Sequence, residues 1–387
     1  QNNNYKHTLA ALYLNAGEFE ASLTLSSELA LAEPSNVEYR LLEIKSLIGV
    51  GNTNAAENNI RNLYQANQHL PEVKFEYARL LFNKRQFAEA KSELDSLTKQ
   101  YPEQGLYRVT LAEVLYSLGQ FSSAVEHLNR LTADFEFQKQ AHHKLALIYL
   151  EHGQFEQSLN AANQILRLDR LDEDGLYVKA RAFVGLKNVN LAKNQCDKLF
   201  GLWLDDEQQL LKLSKLQIQL RLLDDASKSL SQALKIAPEN QRVLTALIKL
   251  DIQQNKFAEA LARIISMEQS KRYDAKRLTI LRGDIERTKG NVDKAFSYYA
   301  KVLDQDGDNV IAFMSLNDLA RQPGYPKKFA DIASRVVNSL PGKPFYRSKL
   351  ADHLMWMENW QEAKFHYQVL LTQKLPKQEM ALALNNL

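Results

Sequence analysis

Between Gly105 and Gln138 the apolar residues fall into two short helical patterns. Leu111, Ala112 and Leu115 share one face of a first helix, and Phe121, Ala124, Leu128 and Leu131 share one face of a second. Gly119 lies between them, where the chain must reverse and a residue without Cβ takes unusual backbone angles at least cost. Ala112 and Ala124 are small where two packed helices approach most closely, so a bulky side chain at either would force the pair apart.

The same pattern returns every 34 residues along almost the whole chain. Repeats begin at Asn3, Val37, Pro71, Gly105, Lys139, Glu173, Glu207 and Gln241, and after a one-residue slip at Lys276, Val310 and Pro344, with a partial twelfth from Gln378. The small residue of the second helix reads Ser22, Ala56, Ala90, Ala124, Ser158, Ala192, Ala226, Ala260, Ala295 and Ala363, with Phe329 as the exception. Leu278, Leu281 and Ile285 keep the old phase, which puts the extra residue in the turn Thr288-Lys289-Gly290. Repeats three to six are the most regular. In repeats seven and eight Gln217 and Asp251 replace an apolar residue late in the first helix, which predicts slightly rotated helices there. Pro323 and Pro326 interrupt the tenth repeat and predict a distorted or late-starting second helix.

A helix-turn-helix period of this length, with Leu9, Tyr13, Gly17, Phe19 and Pro34 in the first repeat and Leu145, Ala146, Tyr149, Gly153 and Phe155 in the fifth, resembles the tetratricopeptide repeat family. The resemblance covers essentially all of the chain. It implies an all-α fold, a right-handed superhelical α-solenoid of tandem helix pairs, and one domain over residues 1–387. It does not imply a ligand, because such repeats carry many unrelated partners.

Composition changes this picture little. Of 387 residues 25% are charged, and the net charge of +3 is too small to call for a nucleic-acid partner. No window reaches the roughly 18 uninterrupted apolar residues of a membrane span. The start, QNNNYKH, is not a secretory signal. The chain begins close to a repeat boundary and stops in the middle of an expected first helix, Met380 to Leu387, which reads as a piece of a longer protein. Compartment and oligomeric state stay open.

Chemistry is sought and not found. No phosphate-binding glycine loop, HExxH, paired CxxC or nucleophile elbow is present. Ser96-Leu97-Thr98-Lys99 matches a loose SxxK pattern, but Leu97 is a core position and the companion motifs are missing. Cys196 is the lone cysteine and falls in an apolar slot. His127, His142, His143 and His152 cluster in sequence, yet His142 and His143 point to different helix faces and cannot form a zinc pair. The expectation is a protein that is not an enzyme, with no cofactor and no metal.

The resemblance implies that first helices line a concave groove, through two slots four residues apart. One carries Phe75, His143 and Tyr177 among mostly apolar residues. The other reads Lys45, Arg79, Arg181, Lys215 and Lys249 through the eighth repeat, then turns acidic with Asp284, Asp318 and Asp352. An apolar row beside a row sorted by charge suits an extended or helical peptide or protein partner. Lys45, Arg79, Arg181, Lys215 and Lys249 could instead follow a single-stranded nucleic acid with Phe75 and Tyr177 stacking on bases. The acidic last third counts against that. No repeat places Lys and Asn together as chaperone-binding members do. The tandem pattern and Ala383-Leu384-Asn385-Asn386-Leu387 also resemble repeat lipoproteins of bacterial exosortase and exopolysaccharide systems, which implies an envelope assembly scaffold at the periplasm or outer membrane.

Overall fold

The structure is a computed structural model that describes residues 2–372. The partial repeat from Gln378 and the helix Met380 to Leu387 lie outside the described residues. Within them the chain forms 22 α-helices and no strand. Two compact units divide at Leu199, and each is taken separately.

The first unit holds six helix pairs: α1 (Asn2–Ala16) with α2 (Phe19–Ala32), α3 (Val37–Gly49) with α4 (Thr53–Ala66), α5 (Pro71–Asn83) with α6 (Phe87–Gln100), α7 (Gly105–Ser117) with α8 (Phe121–Asn129), α9 (Gln138–Glu151) with α10 (Phe155–Leu168), and α11 (Glu173–Gly185) with α12 (Val189–Leu202). The second holds five: α13 (Glu207–Gln219) with α14 (Leu223–Ile236), α15 (Gln241–Gln253) with α16 (Phe257–Ser270), α17 (Ala275–Thr288) with α18 (Val292–Gln305), α19 (Val310–Leu319) with α20 (Pro326–Ser339), and α21 (Pro344–Trp356) with α22 (Trp360–Leu371). From α1 to α11, and from α13 to α22, each helix packs on the next in sequence.

Local signals set the helix starts. The Asn36, Asp206 and Asn240 side chains each accept two backbone N–H groups at the start of a first helix. Pro71, Pro326 and Pro344 occupy the first turn, where a missing N–H is tolerated. Every turn within a pair contains one left-handed residue at the same repeat position. Six are glycines; the others are Arg85, Lys187, Arg221, Asn255 and Glu358.

The small slots are buried throughout. Where serine replaces alanine on the second helix, its hydroxyl is satisfied on the facing first helix: Ser22 Oγ donates to the Ala10 carbonyl at 2.8 Å and Ser158 Oγ to the Ala146 carbonyl at 2.7 Å. Such short bridges require helices too close for a larger side chain. Phe19 and Phe155, which open second helices, lie against Gly49 and Gly185 of the following first helix, where an added Cβ would meet the ring at 2.3 Å.

Four expectations need correction. Repeat four is not regular: α8 stops at Asn129, because Asp134 Oδ1 accepts the Glu136 and Phe137 N–H groups and folds a turn. That turn delivers the Phe137 ring to Gly105. In repeats seven and eight the first helices do not rotate their polar residues outward. Gln217 and Asp251 are 2% and 4% exposed, bonded to Ser229 at 2.8 Å and Arg263 at 2.9 Å on the second helix of the same repeat.

The slip lies at the start of α17, not in the following turn. The burial of Leu278, Ile280, Gly283 and Ile285 matches the new phase, while Asp274 caps the helix in the old one. In repeat ten the second helix starts on schedule with Pro326, and the first helix is the shortened member, ending before the Gln322-Pro323 step. Phe329 fills the gap, fully buried, with its ring 5.3 Å from Phe313 and 4.8 Å from His353. The connecting loop is fastened to the preceding repeat by Tyr325, whose hydroxyl donates to Asp293 at 2.6 Å.

Candidate partner-binding surface on the first helices

The two slots proposed for the groove behave differently. Leu41, Phe75, Val109, Thr245 and Ile280 of the apolar row are buried, and His7, His143, Tyr177, Leu211, Met314 and Ser348 are half-buried. This row is therefore largely a seam between neighbouring helices. Phe75 in particular is a packing residue, its ring 4.9 Å from that of Tyr107 in the next repeat. The charged row is open: none of its members is buried.

In the first unit Glu76, only 6% exposed, holds two members of that row. Lys45 Nζ lies 3.4 Å away and Arg79 Nη1 3.0 Å away. A carboxylate this deep left without such partners would be costly to bury. Arg79 keeps about half its side chain in solvent, with its guanidinium 5.9 Å from the Phe75 ring centroid. Arg181 repeats the arrangement three repeats later, 5.9 Å from the Tyr177 ring. It is exposed and makes no ion pair with any described residue.

His143 is held differently. Its Nε2 lies 3.2 Å from Asp172, which also receives Lys139 at 2.8 Å and the Gly175 N–H at 2.7 Å. Burial opposes ionisation of Asp172, but these donors outweigh it and hold its pKa below the ordinary aspartate range. His143 is thereby committed to the junction of two repeats. Among the described residues no group of three His, Cys, Asp or Glu side chains could hold a metal ion. Cys196 is fully buried.

In the second unit Lys215 and Lys249 are exposed and have no acid partner among the described residues. Lys215 borders an open cavity of about 470 Å³ with Lys212 and Arg242. The acidic members are partly structural. Asp284 accepts the hydroxyl of buried Tyr299 at 2.7 Å, and Asp352 accepts that of buried Tyr367 at 2.8 Å. Burial, then the neighbouring carboxylate, pushes the Tyr299 hydroxyl far above the ordinary tyrosine range. Asp318 lacks this clamp, because Ala333 stands where the tyrosine would be, and it stays 60% exposed with Arg287 4.0 Å away.

The structure thus leaves Arg181, Lys215, Lys249 and Asp318 open, holds Arg79 on Glu76 with about half its side chain in solvent, commits Lys45, His143 and Asp352 to partners within the chain, and packs Phe75. Sequence reasoning missed Glu76, Tyr299 and Tyr367. The two tyrosines had a signal: each follows its aspartate by 15 residues.

Residues 47–108 and 245–310 each match a family model described as tetratricopeptide repeat. A comparison with curated proteins found no match. Among solved structures, a tetratricopeptide repeat protein from Parabacteroides merdae is 17% identical, covering 65% of this chain and 99% of its own, with a TM-score of 0.46. The C-terminal part of a repeat-containing protein from Cytophaga hutchinsonii is 13% identical, covering 62% and 99%, with a TM-score of 0.46. PilW, a type IV pilus biogenesis factor, is 20% identical, covering 52% and 93%, with a TM-score of 0.48. Both matched stretches are built of these helix pairs, so the chain carries tetratricopeptide repeats there, and the same period runs between and beyond them.

Proposed function

We propose that this chain is a non-enzymatic scaffold that binds a protein or peptide partner through the first-helix face of its repeats. The observation that carries the reading is the pair Arg79 and Arg181. They occupy one repeat slot three repeats apart, and each guanidinium is supported by an aromatic ring one turn earlier while remaining open to solvent. Packing requires no cation at Arg181, Arg79 shares Glu76 with Lys45, and a positioned guanidinium is a strong ligand for carboxylates.

Charge reversal tests it. Arg79→Glu with Arg181→Glu should abolish capture of the partner from an extract of the source organism while leaving far-UV circular dichroism unchanged, with a lower thermal midpoint expected only from the Arg79 change beside Glu76. Capture that persists in the double variant overturns the proposal, as does loss of helical content. A single-stranded oligonucleotide that bound at nanomolar concentration, with affinity falling steeply with salt, would replace it with the nucleic-acid reading.

A further inference from the structure

Two clefts open in the first unit, each where a first helix, its second helix and the next first helix meet, and they share one repeat position two repeats apart. One lies between α3, α4 and α5 and holds about 380 Å³ over Ile48, Ile60 and Leu80. The other lies between α7, α8 and α9 and holds about 320 Å³ over Tyr116, Leu128 and Ile148. Each residue of the second set follows its counterpart by 68 positions, so the shared repeat geometry shapes both. Both floors are apolar. Both rims are polar and internally paired, Lys84 with Glu57 at the first, and Lys144 with Glu113 and Tyr116 with Glu151 at the second.

The volumes sit at the low end of the range for ligand cavities, about 300–1,000 Å³, which suits one bulky side chain rather than a whole ligand. We infer that an extended peptide segment docks here with two bulky apolar side chains six residues apart, one in each cleft. This rests on the proposed partner-binding role and specifies its register.

The spacing follows from helix packing. Among the first helices of the first unit, α1 touches α3, α5 touches α7 and α9 touches α11. Packed helices lie about 8–10 Å apart, so two steps are about 16–20 Å. At about 3.3 Å per residue an extended chain covers that in five to six residues, and only an even separation brings both side chains to one face. A helical segment would bring further apolar residues every turn against the closed wall between the clefts. Charge adds a polarity. Arg79 stands on the rim of the first cleft, and Arg181 lies on α11, past the second. An acidic residue beside the first anchor and another about four residues beyond the second would meet them.

The test uses fluorescein-labelled Gly/Ser peptides carrying two phenylalanines separated by four, six or seven positions, with aspartates placed as above, each made in both chain directions. Fluorescence anisotropy against the full chain reads the affinity. The six-position peptide, in one direction, should bind about tenfold to a hundredfold tighter than its single-phenylalanine control, and the other spacings should match that control.

Ile48→Glu and Leu147→Glu, at cleft residues 42% and 43% exposed, should each reduce the six-position peptide to the control affinity with unchanged circular dichroism. Affinity that does not depend on spacing, tighter binding of a helical peptide with leucines at i, i+3 and i+7, or full affinity in both variants overturns the inference. If partner capture still depends on Arg79 and Arg181 while the peptide series is flat, the register fails and the scaffold role stands. If capture ignores the arginines, the role itself falls whatever the peptides do.

Discussion

Lys187, Arg85, Arg221 and Glu358 hold left-handed backbone, with φ between 58° and 61°, where the equivalent turns use glycine. Their side chains are exposed and form no hydrogen bond or ion pair with any described residue, so truncating them forfeits no contact. An L-residue in this region costs roughly 1–2 kcal/mol. Glycine adds back about 0.4–1 kcal/mol of unfolded-state entropy, which leaves a net gain of about 0.5–1 kcal/mol per substitution to glycine. The four sites lie in different repeats, so the gains should add to about 2–4 kcal/mol. Asn255 is the internal control: asparagine tolerates the region, and Asn255→Gly should be close to neutral. Gly119→Ala should cost about 1 kcal/mol. Repeat arrays need not unfold in one step, so urea melts followed at 222 nm should be paired with hydrogen exchange of the helices flanking each turn. A Lys187→Gly protein that is less stable than the parent, or an Asn255→Gly gain as large as that of Lys187→Gly, would refute the reasoning.

Tyr299→Phe and Tyr367→Phe should each destabilise by about 1–3 kcal/mol in urea melts, because Asp284 and Asp352 lose a buried donor, whereas Asp318→Asn should be silent. Ala124→Phe or Ala192→Phe should cost about 1–3 kcal/mol by overpacking the closest helix approach, read as local loss of exchange protection. Arg263→Leu leaves Asp251 buried without its partner and should cost up to about 3–5 kcal/mol, most of it recovered in the double variant with Asp251→Leu. His127, His142, His353 and His366 all have pKa values lowered, chiefly by burial, so the unfolded chain takes up protons first as pH falls below about 6.5. Stability should therefore drop between pH 7.5 and 5.5, and His353→Gln should flatten that dependence relative to the parent.

The period and the helix pairs were legible because they rest on apolar spacing, the small slot and the turn residue, which recur without regard to what lies elsewhere. The errors fall where two distant residues decide the outcome together. Gln217 and Asp251 looked like solvent residues until Ser229 and Arg263, 12 positions later, supplied buried partners. The acidic end of the charged row looked like a surface pattern, yet two of its three aspartates are held by tyrosines from the facing helix. Phe75 was assigned to a wall by its slot, and only the next repeat's Tyr107 reveals that the slot is closed there.

These paired replacements separate packing from recognition. When a repeat changes a residue at a facing slot it changes the partner as well, as Gln217 with Ser229 and Asp251 with Arg263, because a lone polar group at that depth would be unsatisfied. Arg181, Lys215 and Lys249 show no such partner within the described residues. Elsewhere in the same slot Lys45 and Arg79 pair with Glu76, and Asp284 and Asp352 accept tyrosine hydroxyls, but at these three positions the cation pairs with no acid among the described residues. Packing within the chain gives no reason for a cation at these three places, and the proposed partner-binding role supplies one.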